Sequence, residues 1–337
     1  MRAAVFSKKG EPFHIEVVPD PAPGEGEVVL RVSRCGICGS DVHMTAKDGY
    51  GFPAGSVLGH EFCGEVVALG KDAGAIRVGD RVTAMPFFGC GRCASCLRGE
   101  PGWCANSGRA AGFGSAQGGY AQYMTVAARS SVVLPGGISD ELGALVEPLA
   151  VALHGVRRAV IGPETRVAVL GAGPIGLGAA FWARQAGAKA VAVIARSRRN
   201  AALAAQLGAG AFLTDTAGLD DALGGAPNVV FECVGIAGML GQSVKIAAPR
   251  AQVIVLGFCT HPDAINGAAC LLKEITIAYS KTYTLDDYTT VVRTLEAGAQ
   301  APAAMVSRIE KLARLPALIE AMRAGLPDCK IQIDPWA

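Results

Sequence analysis

Apolar and polar positions follow two different rhythms along the chain. MRAAVF at the start and EVVLRVSR at residues 27–34 have the two-residue alternation of strands. Pro12, Pro19, Pro21, Pro23 and Gly24 interrupt them. Residues 64–70, 77–82 and 118–134 continue the pattern as short strands and turns, which predicts a β-rich, mixed and mostly antiparallel half. Ser139–Val160 changes to helical periodicity, with Ser139 placed as N-cap and acids in the first turn. From Arg166 strands and helices alternate: VAVL, a glycine turn and a long helix, then AVAVIA, a helix over Arg198–Leu207, AFLT, NVVFECVG, a helix over Met239–Ala248 and QVIVLG. Repeated βα units of this kind make a doubly wound parallel sheet. Beyond Ile275–Tyr279, residues 285–298 and 311–325 read as helices and CKIQIDP as a closing strand. The tail is expected to pack back on the first half. The expected domains are therefore 1–150, 151–281 for the parallel sheet, and 282–337 returning to the first.

Bulk properties narrow the classes. A chain of 337 residues, 51% of them apolar, is long enough for two domains with substantial cores. A net charge of +2 from interspersed signs carries no nucleic-acid or membrane-surface signature. The apolar run Ala179–Ala195 is broken by Arg184, Gly187 and Lys189, so it reads as core and not as a membrane span. MRAAVFSKKGEPFH lacks the apolar segment of a secretion signal. Eleven cysteines without such a signal point to metal binding or free thiols in a reducing, cytoplasmic setting.

Four stretches carry chemistry. CGICGSDVH, residues 35–43, and Gly59-His60-Glu61 supply thiolate, imidazole and carboxylate. These donors build a catalytic zinc site, in which three protein ligands leave one position open. The residues point to Cys38, His60 and either Glu61 or a later carboxylate. Glu147, set among apolar neighbours in the predicted helix, is such a carboxylate, since a buried acid needs a charge partner or a metal. Cys90, Cys93, Cys96 and Cys104, spaced C-x2-C-x2-C-x7-C, can close a tetrahedron around a structural zinc. An iron–sulfur cluster also takes four cysteines. A disulfide is disfavoured by compartment, and a nucleic-acid-binding zinc ribbon by the single knuckle and the near-neutral chain.

The fourth stretch is a nucleotide turn. Gly171, Gly173 and Gly176, with Pro174 and Ile175 between, match G-x-G-x-x-G between a strand and a helix. The first glycine makes the turn, the second admits a pyrophosphate, and the third lets helix pack on strand. In an NAD site an acid ends the second strand and takes the ribose hydroxyls. Here Ala195 holds that place, followed by Arg196, Ser197, Arg198 and Arg199. A missing acid beside three arginines predicts NADP, because arginine binds phosphate through charge-assisted hydrogen bonds.

These motifs, with GHEFCGEV, VGDRV and EPLAVALHG in the same order, resemble the zinc-containing medium-chain dehydrogenase/reductase family. The nearest branch is that of sorbitol, threonine and butanediol dehydrogenases, because Glu147 stands where classical alcohol dehydrogenases place a cysteine ligand. The resemblance implies a GroES-like catalytic domain and a Rossmann domain. It implies one catalytic and one structural zinc, and hydride exchange between NADP(H) and a secondary alcohol or polyol and its ketone, or an aldehyde. It gives Cys38, His60, Glu61 and Glu147 to the catalytic zinc, Asp41 to orienting the imidazole, and Ser40 and His43 to a proton relay. Phe87, Phe88 and Phe113 become pocket-wall candidates. A homodimer or homotetramer is expected, from the family and from an apolar edge left by Gln252–Leu256 and Ile275–Tyr279. The expected partner is a small alcohol or ketone, with no nucleic acid and no membrane. The alternatives are a zinc-independent quinone or enoyl reductase, or a catalytically idle binding protein on the same fold.

Overall fold

The computed structural model describes residues 1–326 and 328–337. By contacts the chain divides into two compact units, Met1–Glu147 with Thr284–Ala337, and Pro148–Tyr283.

The first unit is built on a seven-stranded sheet. Its order is Val306–Lys311, Lys330–Asp334, Glu27–Gly36, Glu61–Leu69, Arg81–Ala84 and Ser131–Val133, with Tyr123–Ala127 also paired to Glu27–Gly36. Every pairing is antiparallel except Val306–Lys311 with Lys330–Asp334. A smaller sheet joins His14–Val17, Arg2–Phe6 and Ser56–Val57. Leu30, Phe62, Tyr120, Met124, Ile331 and Ile333 are buried in the core around these sheets. The pattern does not announce Val306–Lys311, because this edge strand is half exposed and alternates Ser, Arg, Glu and Lys with only two apolar residues.

The two strands that frame the site are the long central ones. Glu27–Gly36 ends where Cys38 caps the helix Gly39–Met44, and Glu61–Leu69 starts immediately after His60. Gly36 pairs with Glu61 and Cys35 with Phe62, so register brings the two motifs side by side. Gly59 has φ +93°, and a Cβ there would lie 2.7 Å from the Tyr120 ring. Glycine is required for both reasons.

The second unit is a six-stranded, wholly parallel sheet. Its order is Ala211–Leu213, Ala190–Ile194, Arg166–Leu170, Val229–Glu232, Gln252–Val255 and Thr276–Tyr279. The order reverses after Arg166–Leu170, the switch point at which doubly wound sheets bind ligands. Gln252–Val255 is an interior strand, paired on both sides, so only Thr276–Tyr279 forms the edge that the sequence assigned to both. Among the described residues no helix is long and apolar enough to cross a membrane.

Candidate active site

Cys38, His60 and Glu61 come together with one donor atom each, all within 4.8 Å of one another. His60 and Glu61 are 3% and 1% exposed, and Cys38 is half buried. Glu147 is buried at 6% exposure on the helix Asp140–Arg157 but is not a member of this group. Thiolate, imidazole and carboxylate at this spacing suit zinc, so the residues fit the metal that their types imply.

Charged and polar groups surround the three. Asp41 Oδ1 lies 3.5 Å from His60 Nδ1, and both are buried. Asp41 Oδ2 accepts from the Tyr120 hydroxyl at 2.6 Å and from Cys38 N at 3.1 Å. Burial disfavours a charged imidazole, but Asp41 and the Cys38 sulfur outweigh it, so metal-free His60 titrates well above its ordinary range. Burial and the Asp41 charge push the Tyr120 phenol well above its own. Glu61 is held by Lys330, whose Nζ donates to Oε1 at 2.6 Å, to Oε2 at 2.7 Å and to Ile37 O at 3.1 Å. Lys330 is 3% exposed; burial works against its charge, but Glu61 outweighs that and keeps it protonated.

Ser40 and His43 lie three apart on the helix Gly39–Met44, the first half buried and the second exposed. Residues at that spacing share a helix face. Phe113 stacks on His60 with centroids 4.4 Å apart, and Phe87 lies parallel to Phe113 at 6.1 Å. Phe88 is 5% exposed beneath the Arg109 guanidinium and belongs to the core.

Cys90, Cys93, Cys96 and Cys104 gather within 4.8 Å, and all are free thiols. Cys90 and Cys96 sulfurs are 4.0 Å apart, and Cys93 and Cys104 sulfurs 3.8 Å. The backbone N–H of Arg92 and then the Asn106 amide bring Cys90 down to about 5, while burial takes Cys96 up to about 11. A cation among the four removes this conflict by stabilising every thiolate at once.

In the second unit Gly171 has φ +103°, and a Cβ at Gly176 would lie 2.0 Å from Gly171 O. A Cβ at Gly173 would meet nothing within 4 Å, so the space beside the helix N-terminus is open where a phosphate approaches. Gly173 caps the helix Pro174–Gln185, with Pro174 in its first turn and Ile175 following. Asn200 Nδ2 donates to Ala172 O at 2.8 Å, which ties the glycine turn to the segment after Ala190–Ile194. Ala195 is half buried. Arg196, Ser197, Arg198 and Arg199 are exposed, and none of the three arginines has an ion-pair partner among the described residues. Ser197 Oγ accepts from Arg199 N at 3.4 Å.

Tyr120 and Lys330 are the site neighbours that the sequence does not disclose. Tyr120 lies about sixty residues beyond His60 with no motif spacing to link them. Lys330 falls on the polar phase of KIQID, which alternation assigns to solvent.

A parallel nucleotide-binding sheet joined to a β-rich unit that carries paired metal-ligand clusters defines a two-domain, metal-dependent oxidoreductase. Residues 24–136 match the alcohol dehydrogenase GroES-like domain, and residues 174–297 match the zinc-binding dehydrogenase family. L-galactonate-5-dehydrogenase of Escherichia coli is 31% identical, with 82% of each chain covered. Sorbitol dehydrogenase of Halalkalibacterium halodurans is 32% identical, with 83% of this chain and 84% of that one covered. The crystal structure of a zinc-binding dehydrogenase from Sinorhizobium meliloti 1021 bound to NADP superposes with TM-score 0.88 at 31% identity, covering 99% of each chain. The chain belongs to the zinc-containing medium-chain alcohol and polyol dehydrogenases, which transfer hydride between an alcohol and its ketone.

Proposed function

We propose that this chain is an NADP-dependent dehydrogenase of a secondary alcohol or polyol, working at Cys38, His60 and Glu61. The observation that carries the reading is the convergence of those three donors within 4.8 Å. When bound, zinc supplies Lewis acidity to the substrate oxygen and the nicotinamide accepts the hydride. Cys38 and His60 hold the metal, with Glu61 and Glu147 as the carboxylates available to complete its shell. Ser40 takes the hydroxyl proton of the substrate and passes it to His43, which releases it to solvent; their shared helix face and graded exposure support that order. Phe113 and Phe87 form an apolar wall on the His60 side.

On the cofactor side, Gly171, Gly173 and Gly176 leave room for the pyrophosphate at the start of the helix Pro174–Gln185. Ala195 removes the acid that would repel a 2′-phosphate, and the unpaired Arg196 and Arg199, with the Ser197 hydroxyl, supply donors to it. The four-cysteine lobe holds a second, structural zinc. A second copy of the chain covers the edge at Thr276–Tyr279, where Leu271, Leu272 and Tyr279 are 78%, 84% and 67% exposed.

A panel of secondary alcohols and polyols, including sorbitol and L-galactonate, followed by NADPH absorbance at 340 nm, tests the reading. Turnover that disappears in Cys38→Ser supports it. No turnover of any panel member by fully zinc-loaded protein refutes it.

A further inference from the structure

The imidazole of His60 faces a carboxylate, and that carboxylate is itself held. Asp41 Oδ2 receives two donors, the Tyr120 hydroxyl at 2.6 Å and Cys38 N at 3.1 Å. Only Oδ1 is left to face His60 Nδ1, which it approaches to 3.5 Å without a hydrogen bond between them. Tyr120 is wholly buried and has one proton to donate. Gly36 O, at 3.3 Å, is the more distant and uncharged acceptor, so the proton goes to the carboxylate.

The backbone fixes Tyr120 as firmly as its hydroxyl. Gly118 N, Gly119 N and Tyr120 N donate to Val57 O, Gly59 O and Leu58 O at 2.9, 2.8 and 3.0 Å, the residues that lead into His60. Ala4 N donates to Tyr120 O at 2.8 Å. The ring fills the space that a side chain at Gly59 would need. One residue thus braces both the backbone before His60 and the carboxylate beside its ring.

We propose that Tyr120 is a positioning residue of the metal site: its phenol locks the Asp41 carboxylate so that His60 is held in one orientation for the metal. The proposal rests on the reading of Cys38 and His60 as metal ligands. Phenylalanine at 120 keeps the ring against Gly59 and removes only the hydroxyl. Asp41 then loses its strongest donor and rotates more freely, and the imidazole loses its fixed direction. Partners that orient a metal-binding histidine are worth about 10–100-fold in metal affinity.

The test uses the full chain, stripped with chelator and titrated with Co2+ and Zn2+. Wild type, Tyr120→Phe, Asp41→Asn and the double variant are compared by thiolate-to-cobalt absorption and by competition with a chromophoric chelator. The expected result for Tyr120→Phe is an intact four-cysteine site, with affinity at the other site down about tenfold and an altered cobalt spectrum there. In the Asp41→Asn background the same change should cost less than about twofold, because the hydroxyl acts through Asp41. Wild-type affinity and spectrum in Tyr120→Phe would overturn the proposal. So would full additivity with Asp41→Asn, which also covers a general loss of packing. If wild type takes up metal only at the four cysteines, the metal-site reading itself fails, and the proposal fails with it.

Discussion

Lys330 Nζ is within 2.7 Å of both oxygens of Glu61, and the two side chains are 3% and 1% exposed. A buried pair of this kind adds little net stability, but breaking it strands a charge. Lys330→Met should therefore destabilise the metal-free protein by about 3–5 kcal/mol. Adding Glu61→Gln to Lys330→Met should recover most of that. Urea unfolding of chelator-treated protein measures both, and a Lys330→Met variant as stable as wild type would show that the pair is not a charge lock.

His60 makes metal binding depend on pH. Its metal-free value is raised above 6.5 by Asp41 and Cys38 against the opposing effect of burial. The imidazolium therefore stabilises the metal-free fold fully below about pH 6.5, and that contribution is lost as pH rises through the folded value. Zinc needs the neutral ring, so its apparent affinity should rise by roughly tenfold per pH unit for each proton displaced over the same interval. Calorimetry in buffers of different ionisation enthalpy should detect proton release at pH 6.5. Binding independent of pH between 6 and 8 would contradict the assignment of His60.

The lobe at Cys90–Cys104 should behave differently. Cys96→Ser is expected to lose one zinc equivalent and to lower the melting midpoint by ~5 °C, the shift for a loss of ~2 kcal/mol in a domain of ordinary size. Cys38→Ser should lose the other equivalent and nearly all turnover, with little change in melting. Metal analysis beside thermal scans separates the two. A Cys96→Ser protein with unchanged zinc and midpoint would rule out a structural metal.

Cofactor choice is read from kcat/KM with NADP and with NAD. The ratio should exceed one. Removing Arg196 and Arg199 together should lower it by at least about tenfold, the loss of one charge-assisted contact to the 2′-phosphate. A wild-type ratio below one, or a ratio that ignores both substitutions, would assign the basic run to another purpose.

Association is tested at the edge strand. Leu271→Asp with Leu272→Asp should convert a dimer or tetramer into monomer by light scattering at micromolar concentration. A wild-type chain that is monomeric there would remove the need for a second copy.

The fold was legible where period and punctuation agree. VAVL, GAGPIG and the helix behind them can be read because a two-residue rhythm, three glycines and a helical rhythm follow one another. Cys38, His60 and Glu61 were legible because their types are rare in combination and cross-strand register then joins them. Lys330 and Tyr120 were not. KIQID alternates as a strand with one wet face, yet Lys330 and Gln332 are 3% and 0% exposed. The strand lies inside the sheet between Val306–Lys311 and Glu27–Gly36, and Gln332 Nε2 donates to Glu141 O at 2.8 Å. Alternation reports which side chains share a face, and it does not report whether something covers that face.

The pairing of Lys330 with Glu61 spans 269 residues and sets a timetable for synthesis. At about 5–20 residues per second, tens of seconds pass between the two residues leaving the ribosome. The unit Pro148–Tyr283 is continuous and can fold within that interval. The unit that contains Glu61 cannot form this buried ion pair until Lys330 is made. Closing the buried pair therefore waits for Lys330–Asp334, the last strand of the chain.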